Sequence, residues 1–223
     1  MKFSRENPSP KFIKLIEEYK LMHEKGFTQT NNIQKDPQDA YSGKSTMWFI
    51  DIINNIIKAN NCNTLLDYGS GKGLLYDSNF SFENKNYPNL KEYWGANEYF
   101  LYDPSYKKYS NLPTKQYDCS ICVDVLEHIP FQDLSWIIRE ILSFTKKISF
   151  FNIACFPALA KLHSGENAHI TLKHPDWWHG FISAIMQDFP NNKLVCYCTI
   201  KTKDEQRKFI AFSINDNFKN YDK

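Results

Sequence analysis

The chain has 223 residues, 42% of them hydrophobic and 23% charged, and its 27 basic and 25 acidic side chains leave a net charge of +2. This length suits one α/β domain with a full core and is short for two. The near-neutral charge, without any basic block, argues against a nucleic-acid polymer as partner. No apolar run approaches the roughly 18 residues of a membrane span. The start MKFSRENPSPK lacks a signal-peptide core, so we expect a cytoplasmic protein with no membrane partner.

The first 60 residues predict an N-terminal helical cap. Residues 8–25 carry apolar side chains at helical spacing, and Gly26 ends that pattern. Residues 27–43 are polar and predict a surface loop. A second helix is predicted over residues 45–60, where isoleucines recur at helical spacing.

Residues 61–223 predict the core of the same single domain, in which strands alternate with helices. The predicted strands are Thr64–Tyr68, the segment ending in YFLYD, DCSICVDV, KISFFNIA, KLVCYCTIK and KFIAFSIN, and the predicted helices cover residues 131–145 and 176–189. This alternation favours an α/β fold with a doubly wound, mostly parallel sheet. Because the six residues TKDEQR can close a hairpin but not a crossover, the last strand should run antiparallel to its neighbour.

The six cysteines are expected to be reduced and structural. Cys119 and Cys122 have a C-x-x-C spacing, but they lie on a predicted strand, where residues three apart point to opposite faces. A zinc ion or a disulfide shared by this pair is therefore not expected.

The stretch LLDYGSGKG, residues 65–73, predicts a ligand-binding glycine loop after a strand. A phosphate-binding P-loop needs Ser or Thr after its Gly-Lys pair, and here Gly73 follows Lys72. A dinucleotide loop needs a third glycine where Leu74 stands, together with a firm helix start that the following polar sequence does not predict. Both kinds of phosphate ligand therefore fit this loop poorly.

S-adenosylmethionine is the third candidate ligand, since its loop needs a close backbone approach that Gly69 and Gly71 would allow. Asp67, at the end of the first core strand, can engage the ammonium group of this cofactor or, alternatively, cap the following turn. Asp103, at the end of the second core strand, can take both ribose hydroxyls. Asp124 and the loop after it would then lie beside the adenine and the reactive methyl group.

In their order along residues 64–130, the motifs LLDYGSGKG, YDPS and YDCSICVDVLEHIP are similar to those of class I S-adenosylmethionine-dependent methyltransferases. The resemblance implies a Rossmann-like sheet and S-adenosylhomocysteine as product. By position it implies cofactor contacts from Gly69, Ser70, Gly71, Asp103, Pro104, Asp124, Val125 and Leu126. Two departures from the family stand out. Only 14 residues separate Asp103 from Asp118, which implies a shortened crossover, and residues 77–95 replace much of the first helix.

The N-terminal cap would close the cofactor pocket, as in many relatives of this fold. Tyr19 and His23 are four residues apart and share one helical face, while Lys44 or Ser45 could reach the carboxylate of the cofactor. An aromatic ring near the sulfonium would attract it through the π face. Equally, His23 could be a solvated helix residue.

The polar segment KLHSGENAHITLKHPDWWHG, residues 161–180, is the predicted acceptor site. It follows a strand whose end should open onto the same edge of the sheet as the cofactor loops. Its candidate acceptor ligands are His163, Glu166, Asn167 and His169.

His169 is the preferred catalytic base, and His128 is the second catalytic candidate, with an alternative role in orienting its loop. Trp177 and Trp178 could form an apolar wall for the acceptor. The other interpretation of this segment is a surface loop with a tryptophan-anchored helix. Its four histidines match no tight ligand pair, so no metal is predicted.

Methyl transfer is an in-line displacement, for which an enzyme mainly supplies alignment. A neutral acceptor needs a base, and an anionic oxygen does not. The combination of MHEKG, YDPS, DVLEHIP and NAH…WW is similar to small bacterial methyltransferases of surface-polysaccharide pathways. This resemblance implies a small polar acceptor, such as a nucleotide-linked phosphoramidate or sugar of capsule biosynthesis. Two other functions remain open: a catalytically silent S-adenosylmethionine-binding module and a nicotinamide-dependent oxidoreductase.

Overall fold

The structure, a computed structural model, describes residues 3–216 and has an α/β fold. Residues 1–2 and 217–223, which the predicted domain includes, lie outside the described residues. The helices are α1 (Pro10–Lys25), α2 (Ile50–Ala59), α3 (Leu90–Trp94), α4 (Leu134–Ser143) and α5 (Pro175–Met186). The strands are β1 (Phe27–Thr28), β2 (Gln34–Lys35), β3 (Thr64–Tyr68), β4 (Phe80–Phe82), β5 (Lys85–Tyr87), β6 (Glu98–Tyr102), β7 (Tyr117–Val123), β8 (Thr145–Ala154), β9 (Lys193–Lys201) and β10 (Arg207–Ile214).

A six-stranded sheet organises the molecule, with its strands in the order β10-β9-β8-β7-β3-β6. Each neighbouring pair from β6 to β9 is parallel, and β10 lies antiparallel to β9 at the edge of the sheet. The mostly parallel sheet and the antiparallel terminal hairpin are thus confirmed. Since β3, β6, β7, β8 and β9 all run the same way, the loops after them meet along one edge.

Both faces of this sheet are covered by helices. Ile138 of α4 and Trp178 of α5 are fully buried in the cluster on one face. Ile53 of α2 and Trp94 of α3 are buried in the cluster on the other face. The helix α2, which was predicted as part of the cap, therefore packs on the sheet.

The cysteines follow the alternation of the strands. Cys122 belongs to the cluster with α4 and α5, and Cys119 belongs to the cluster with α2 and α3. All six cysteines are free thiols. The prediction that Cys119 and Cys122 point to opposite faces is confirmed.

The helix α1 is capped at both ends and anchored at its start. The Ser9 hydroxyl accepts the N–H of Phe12 at 3.1 Å, and the Ser9 N–H donates to the Asp133 carboxylate at 2.9 Å. At the other end Gly26, with φ of 75°, donates its N–H to the Met22 carbonyl at 3.0 Å. These bonds fix α1 against the segment that precedes α4.

Residues 28–39 are largely exposed, as predicted for a surface loop, but the segment has regular structure and its end packs inward. Residues 27–43 contain the short β1–β2 hairpin, and Ala40 is fully buried. The backbone of residues 41–43 packs on the glycine loop, since the Lys72 N–H donates to the Tyr41 carbonyl at 2.8 Å and the Leu74 N–H to the Ser42 carbonyl at 3.1 Å. A polar composition marked this segment as solvated, but its backbone groups find partners inside the fold.

The structure defines the two unusual connections that the sequence predicted, the one in residues 77–95 and the one between β6 and β7. Residues 77–95 contain the β4–β5 hairpin and the short helix α3. Between β6 and β7 the chain forms only the 3-10 turn Lys107–Tyr109, which confirms the shortened crossover. None of the helices in the described part of the chain combines the length and apolar character needed to cross a bilayer.

Candidate functional site

A cavity of about 490 Å³ lies where the sheet edge meets α1 and residues 39–46. The loops after β3, β6, β7 and β8 contribute to its wall. The structure brings fourteen of the predicted site residues to it: Tyr19, His23, Lys44, Ser45, Asp67, Gly69, Ser70, Gly71, Asp103, Pro104, Asp124, Val125, His128 and His169. Cavities at the carboxyl edge of parallel strands are the usual ligand sites of such sheets.

The glycine loop owes its composition to packing within the protein. Gly69 and Gly71 have φ of 85° and 56°, a region that L side chains rarely adopt. A Cβ on Gly71 would lie 2.3 Å from the Tyr41 carbonyl oxygen, and one on Gly69 would lie 2.3 Å from a methyl of Val125. The space expected for an approaching cofactor is thus filled by protein atoms, although both glycines still border the cavity.

Asp103 is held at the cavity by backbone donors. Its Oδ2 accepts the N–H of Gly71 at 2.9 Å, and its Oδ1 accepts the N–H of Ser105 at 2.8 Å. Burial raises the pKa of this carboxyl, while these N–H groups oppose the rise. Each oxygen keeps lone pairs for a ligand hydroxyl.

Asp67 lies deeper in the same cavity, only 4% exposed. Its Oδ2 accepts the hydroxyl of Tyr76 at 2.9 Å. Burial, reinforced by the negative charge of Asp103, raises the pKa of Asp67 to about 7. This bond links Asp67 to the side chain of the 3-10 turn Leu74–Tyr76 that follows the glycine loop.

The two α1 residues predicted for the cavity both face it. Tyr19 donates its hydroxyl to the Ala168 carbonyl at 3.0 Å. His23 is 7% exposed and stacks on Tyr106 at 5.0 Å, so the alternative of a solvated helix residue is wrong. Burial, followed by the charge of Lys72, lowers the pKa of His23 to about 4, which keeps the ring neutral.

Four side chains form an acid–imidazole cluster at the cavity: Asp124, Glu127, His128 and His169. One nitrogen or oxygen from each lies within 4.8 Å of the others. The chain reverses sharply after β7, where Asp124 has φ of 62°, and residues 126–128 form a 3-10 turn. His169 reaches the same point from the loop after β8.

The two imidazoles of the cluster have defined tautomers. The Nδ1 of His169 lies 2.6 Å from the Phe156 carbonyl and must donate to it. The Nδ1 of His128 lies 2.9 Å from the Tyr19 hydroxyl, whose own proton goes to a carbonyl, so this Nδ1 donates as well. Burial lowers the pKa of both rings, that of His128 to about 3, so both are neutral and each has an unprotonated Nε2.

Glu127 is the member of the cluster that sequence reasoning missed. Its side chain is fully buried; Oε1 accepts the N–H of Ala154 at 2.6 Å, and Oε2 has no hydrogen-bond partner within residues 3–216. Burial and the nearby carboxylate of Asp124 raise its pKa well above the usual range. A buried glutamate inside an otherwise apolar VLEHI run was the available signal.

The predicted acceptor segment reaches the cavity only through His169. His163 is exposed and lies 3.9 Å from Glu18, and Glu166 pairs with Lys11 at 2.9 Å. Asn167 bonds the backbone of Ala158 with both its amide atoms. A short antiparallel bridge between residues 161 and 167 folds this segment back over α1, so these three side chains lie outside the cavity.

Three apolar predictions for the site are also corrected. Trp178 and Leu126 are fully buried in the hydrophobic cluster beneath α4 and α5. Trp177 stacks on Phe181 at 4.8 Å, outside the cavity. The helix α5 turns its tryptophans toward the core, so they form no wall for an acceptor.

Several cavity residues were not predicted. Tyr41 borders the cavity beside Tyr19, at 5.6 Å between ring centroids. A second recess of about 250 Å³ adjoins the cavity at Asp124, where Trp48 and Arg207 contribute to its wall. For Tyr41, Trp48 and Arg207 the sequence offered only an aromatic or cationic side chain near the end of a predicted helix or strand.

Comparisons with known proteins do not assign the site. No protein-family model matches this chain, and no curated protein is similar to it at a significant level.

Substitution Asp67→Asn is expected to flatten the pH dependence of stability between about pH 4 and 7. A buried carboxyl with a raised pKa binds more protons in the folded state, so its contribution is lost as pH rises through that window. The upper limit is about 4 kcal/mol for a shift of about three pKa units. Urea unfolding of the wild type and the variant at several pH values measures the difference. The exposed Asp204→Asn is the control, and equal slopes for wild type and Asp67→Asn would contradict the assignment.

Proposed function

We propose that this chain is a class I S-adenosylmethionine-dependent methyltransferase with a Rossmann-like core, which methylates an oxygen of a small polar acceptor. The observation that carries the proposal is the meeting of three features at one cavity. These features are the glycine loop, the Asp103 carboxylate at the next strand end, and the acid–imidazole cluster.

The polar groups of the cavity match the groups of the cofactor. Asp103 offers lone pairs to the ribose hydroxyls, and the buried Asp67 offers a carboxylate to the ammonium group. The exposed cation Lys44 also borders the cavity and would pair with the cofactor carboxylate. Tyr19 and Tyr41 present aromatic rings to a sulfonium.

The local structure after the glycine loop disfavours a dinucleotide. Only the three-residue 3-10 turn Leu74–Tyr76 follows Gly73. A pyrophosphate is normally bound at the N-terminus of a regular α-helix, whose dipole and free N–H groups face it. The nicotinamide oxidoreductase is therefore the weaker alternative.

The cluster supplies the groups that a silent binding module would not need. In the proposed step the acceptor oxygen would form a bond to the methyl carbon while the carbon–sulfur bond breaks. The electron pair of the broken bond would remain on sulfur. The unprotonated Nε2 of His169 can accept the proton of a neutral acceptor. His128 is held beside it by the Tyr19 hydroxyl.

The second recess favours an anionic, ring-bearing acceptor. Arg207 places a cation there, with its guanidinium 4.7 Å from the centroid of the Trp48 ring. Trp48 is 60% exposed, so part of its ring surface remains open to stacking. We propose a nucleotide-linked phosphoramidate or sugar of capsular polysaccharide biosynthesis as the acceptor, which the exposed tryptophan and Arg207 would bind.

Calorimetric titration of the full chain with S-adenosylmethionine and S-adenosylhomocysteine tests the cofactor. We expect micromolar binding that Asp103→Ala weakens at least tenfold, about 1.4 kcal/mol, because the ribose hydroxyls lose their acceptor. The milder variant Asp103→Asn keeps one oxygen that can accept a backbone N–H, so it tests whether weaker binding comes from a misfolded loop. The control is Asp204→Ala, at an exposed position. A folded sample that binds a nicotinamide dinucleotide and neither of these ligands would refute the proposal.

Substitution Trp48→Ala is expected to raise the KM for the acceptor about tenfold while the affinity for S-adenosylhomocysteine stays within twofold. Trp48 borders the second recess and not the main cavity, and base stacking contributes roughly 1–3 kcal/mol. Transfer of a labelled methyl group to nucleotide-linked phosphoramidates and sugars provides the assay. The control is Phe131→Ala, an aromatic 54% exposed elsewhere. An unchanged KM would place the acceptor outside this recess.

A further inference from the structure

The acid–imidazole cluster has the donor set and the dimensions of a metal site. Two imidazole nitrogens and two carboxylate oxygens lie within 4.8 Å of one another. A cation bonded to such atoms at about 2.0–2.2 Å would hold neighbouring donors roughly 3–4 Å apart. The widest donor separation would have to close by about 1 Å to complete the site, which side-chain rotations can supply.

Both imidazoles have the tautomer that a metal-bound histidine needs. The Nδ1 of His169 donates to the Phe156 carbonyl and the Nδ1 of His128 to the Tyr19 hydroxyl, so each Nε2 lone pair is free. Metal-bound histidines almost always donate their other ring N–H to a carbonyl or a similar acceptor in this way. Tyr19, fixed by its bond to Ala168, thus acts as a positioning residue.

Glu127 provides an independent observation that points to a cation. It is fully buried, and its Oε2 has no hydrogen-bond partner in the described part of the chain. No lysine or arginine among residues 3–216 forms an ion pair with Glu127 or Asp124. A buried carboxyl oxygen without a hydrogen-bond partner is unfavourable, and a bound cation would satisfy it.

From this geometry we infer that Asp124, Glu127, His128 and His169 bind one divalent first-row transition-metal ion. Mixed imidazole and carboxylate donors suit Mn²⁺, Fe²⁺, Co²⁺ and Zn²⁺ better than Ca²⁺, which prefers oxygen donors alone. The four ligands come from two loops 41 residues apart. The spacing of the histidines in residues 161–180 could not show this site, and it led to the prediction of no metal.

The ion would also give the acceptor a definite place, a consequence that rests on the proposed methyl transfer. The cluster borders both the cavity and, through Asp124, the second recess. A divalent ion there would bind the acceptor oxygen and lower the pKa of its hydroxyl. The ligand nitrogen of His169 would then be occupied, and the proton would leave to solvent or to a carboxylate.

Titration of the chelator-stripped full chain with Mn²⁺, followed by calorimetry and electron paramagnetic resonance, tests the inference. We expect one Mn²⁺ per chain, bound more than tenfold more weakly in Glu127→Gln and in His169→Asn. The matched controls Glu166→Gln and His163→Asn, exposed and outside the cavity, should bind as the wild type does. Tyr19→Phe keeps all four ligands and should weaken Mn²⁺ binding by about tenfold or more, because it releases His128.

Circular dichroism and thermal unfolding establish that each variant is folded. Two results would overturn the inference. One is a wild type that binds neither Mn²⁺ nor Zn²⁺ with a Kd below about 100 μM. The other is equal Mn²⁺ binding by Glu127→Gln and Glu166→Gln. The metal titration contains no cofactor. A metal-binding protein that ignores S-adenosylmethionine would therefore refute the proposed function alone, and the converse result would refute the metal site alone.

Discussion

The carbonyl of Tyr41 lies against the glycine loop so closely that no side chain fits at Gly71. This contact joins the N-terminal segment to the sheet edge, because the Lys72 N–H donates to the same carbonyl. The Gly71 N–H, turned the other way, holds the Asp103 carboxylate. The close contact between the Tyr41 carbonyl and Gly71 therefore closes one side of the cavity. It also fixes the loop after β3 and orients Asp103 after β6.

A second set of hydrogen bonds links α1 to the acid–imidazole cluster. The Tyr19 hydroxyl, on α1, donates to the Ala168 carbonyl and accepts from His128. Because Ala168 immediately precedes His169, the same hydroxyl positions both imidazoles of the acid–imidazole cluster. A rotation of α1 would disturb the cluster as well as the cavity, so we expect ligand binding at one to stabilise the other.

Periodic patterns predicted the sheet well because buried and exposed side chains recur at a fixed spacing along each strand and helix. The bounds of β3 and β9 coincide with the prediction, and the motifs placed Asp67, Asp103 and Asp124 at strand ends bordering one cavity. Sequence reasoning failed where tertiary contacts decide orientation. Residues 40–43 pack against the glycine loop, residues 161–167 fold back over α1, and the Trp178 side chain turns into the core. Glu127 joins His169 only through the topology of the sheet.

We propose that the cavity binds S-adenosylmethionine with its methyl group toward the acid–imidazole cluster. A crystal structure of the full chain with S-adenosylhomocysteine tests it most directly. We expect the ribose hydroxyls to bind Asp103, the amino-acid moiety to lie between Asp67 and Lys44, and the sulfur to face His169. Density for the ligand outside the cavity, or a sulfur turned away from the cluster, would contradict it.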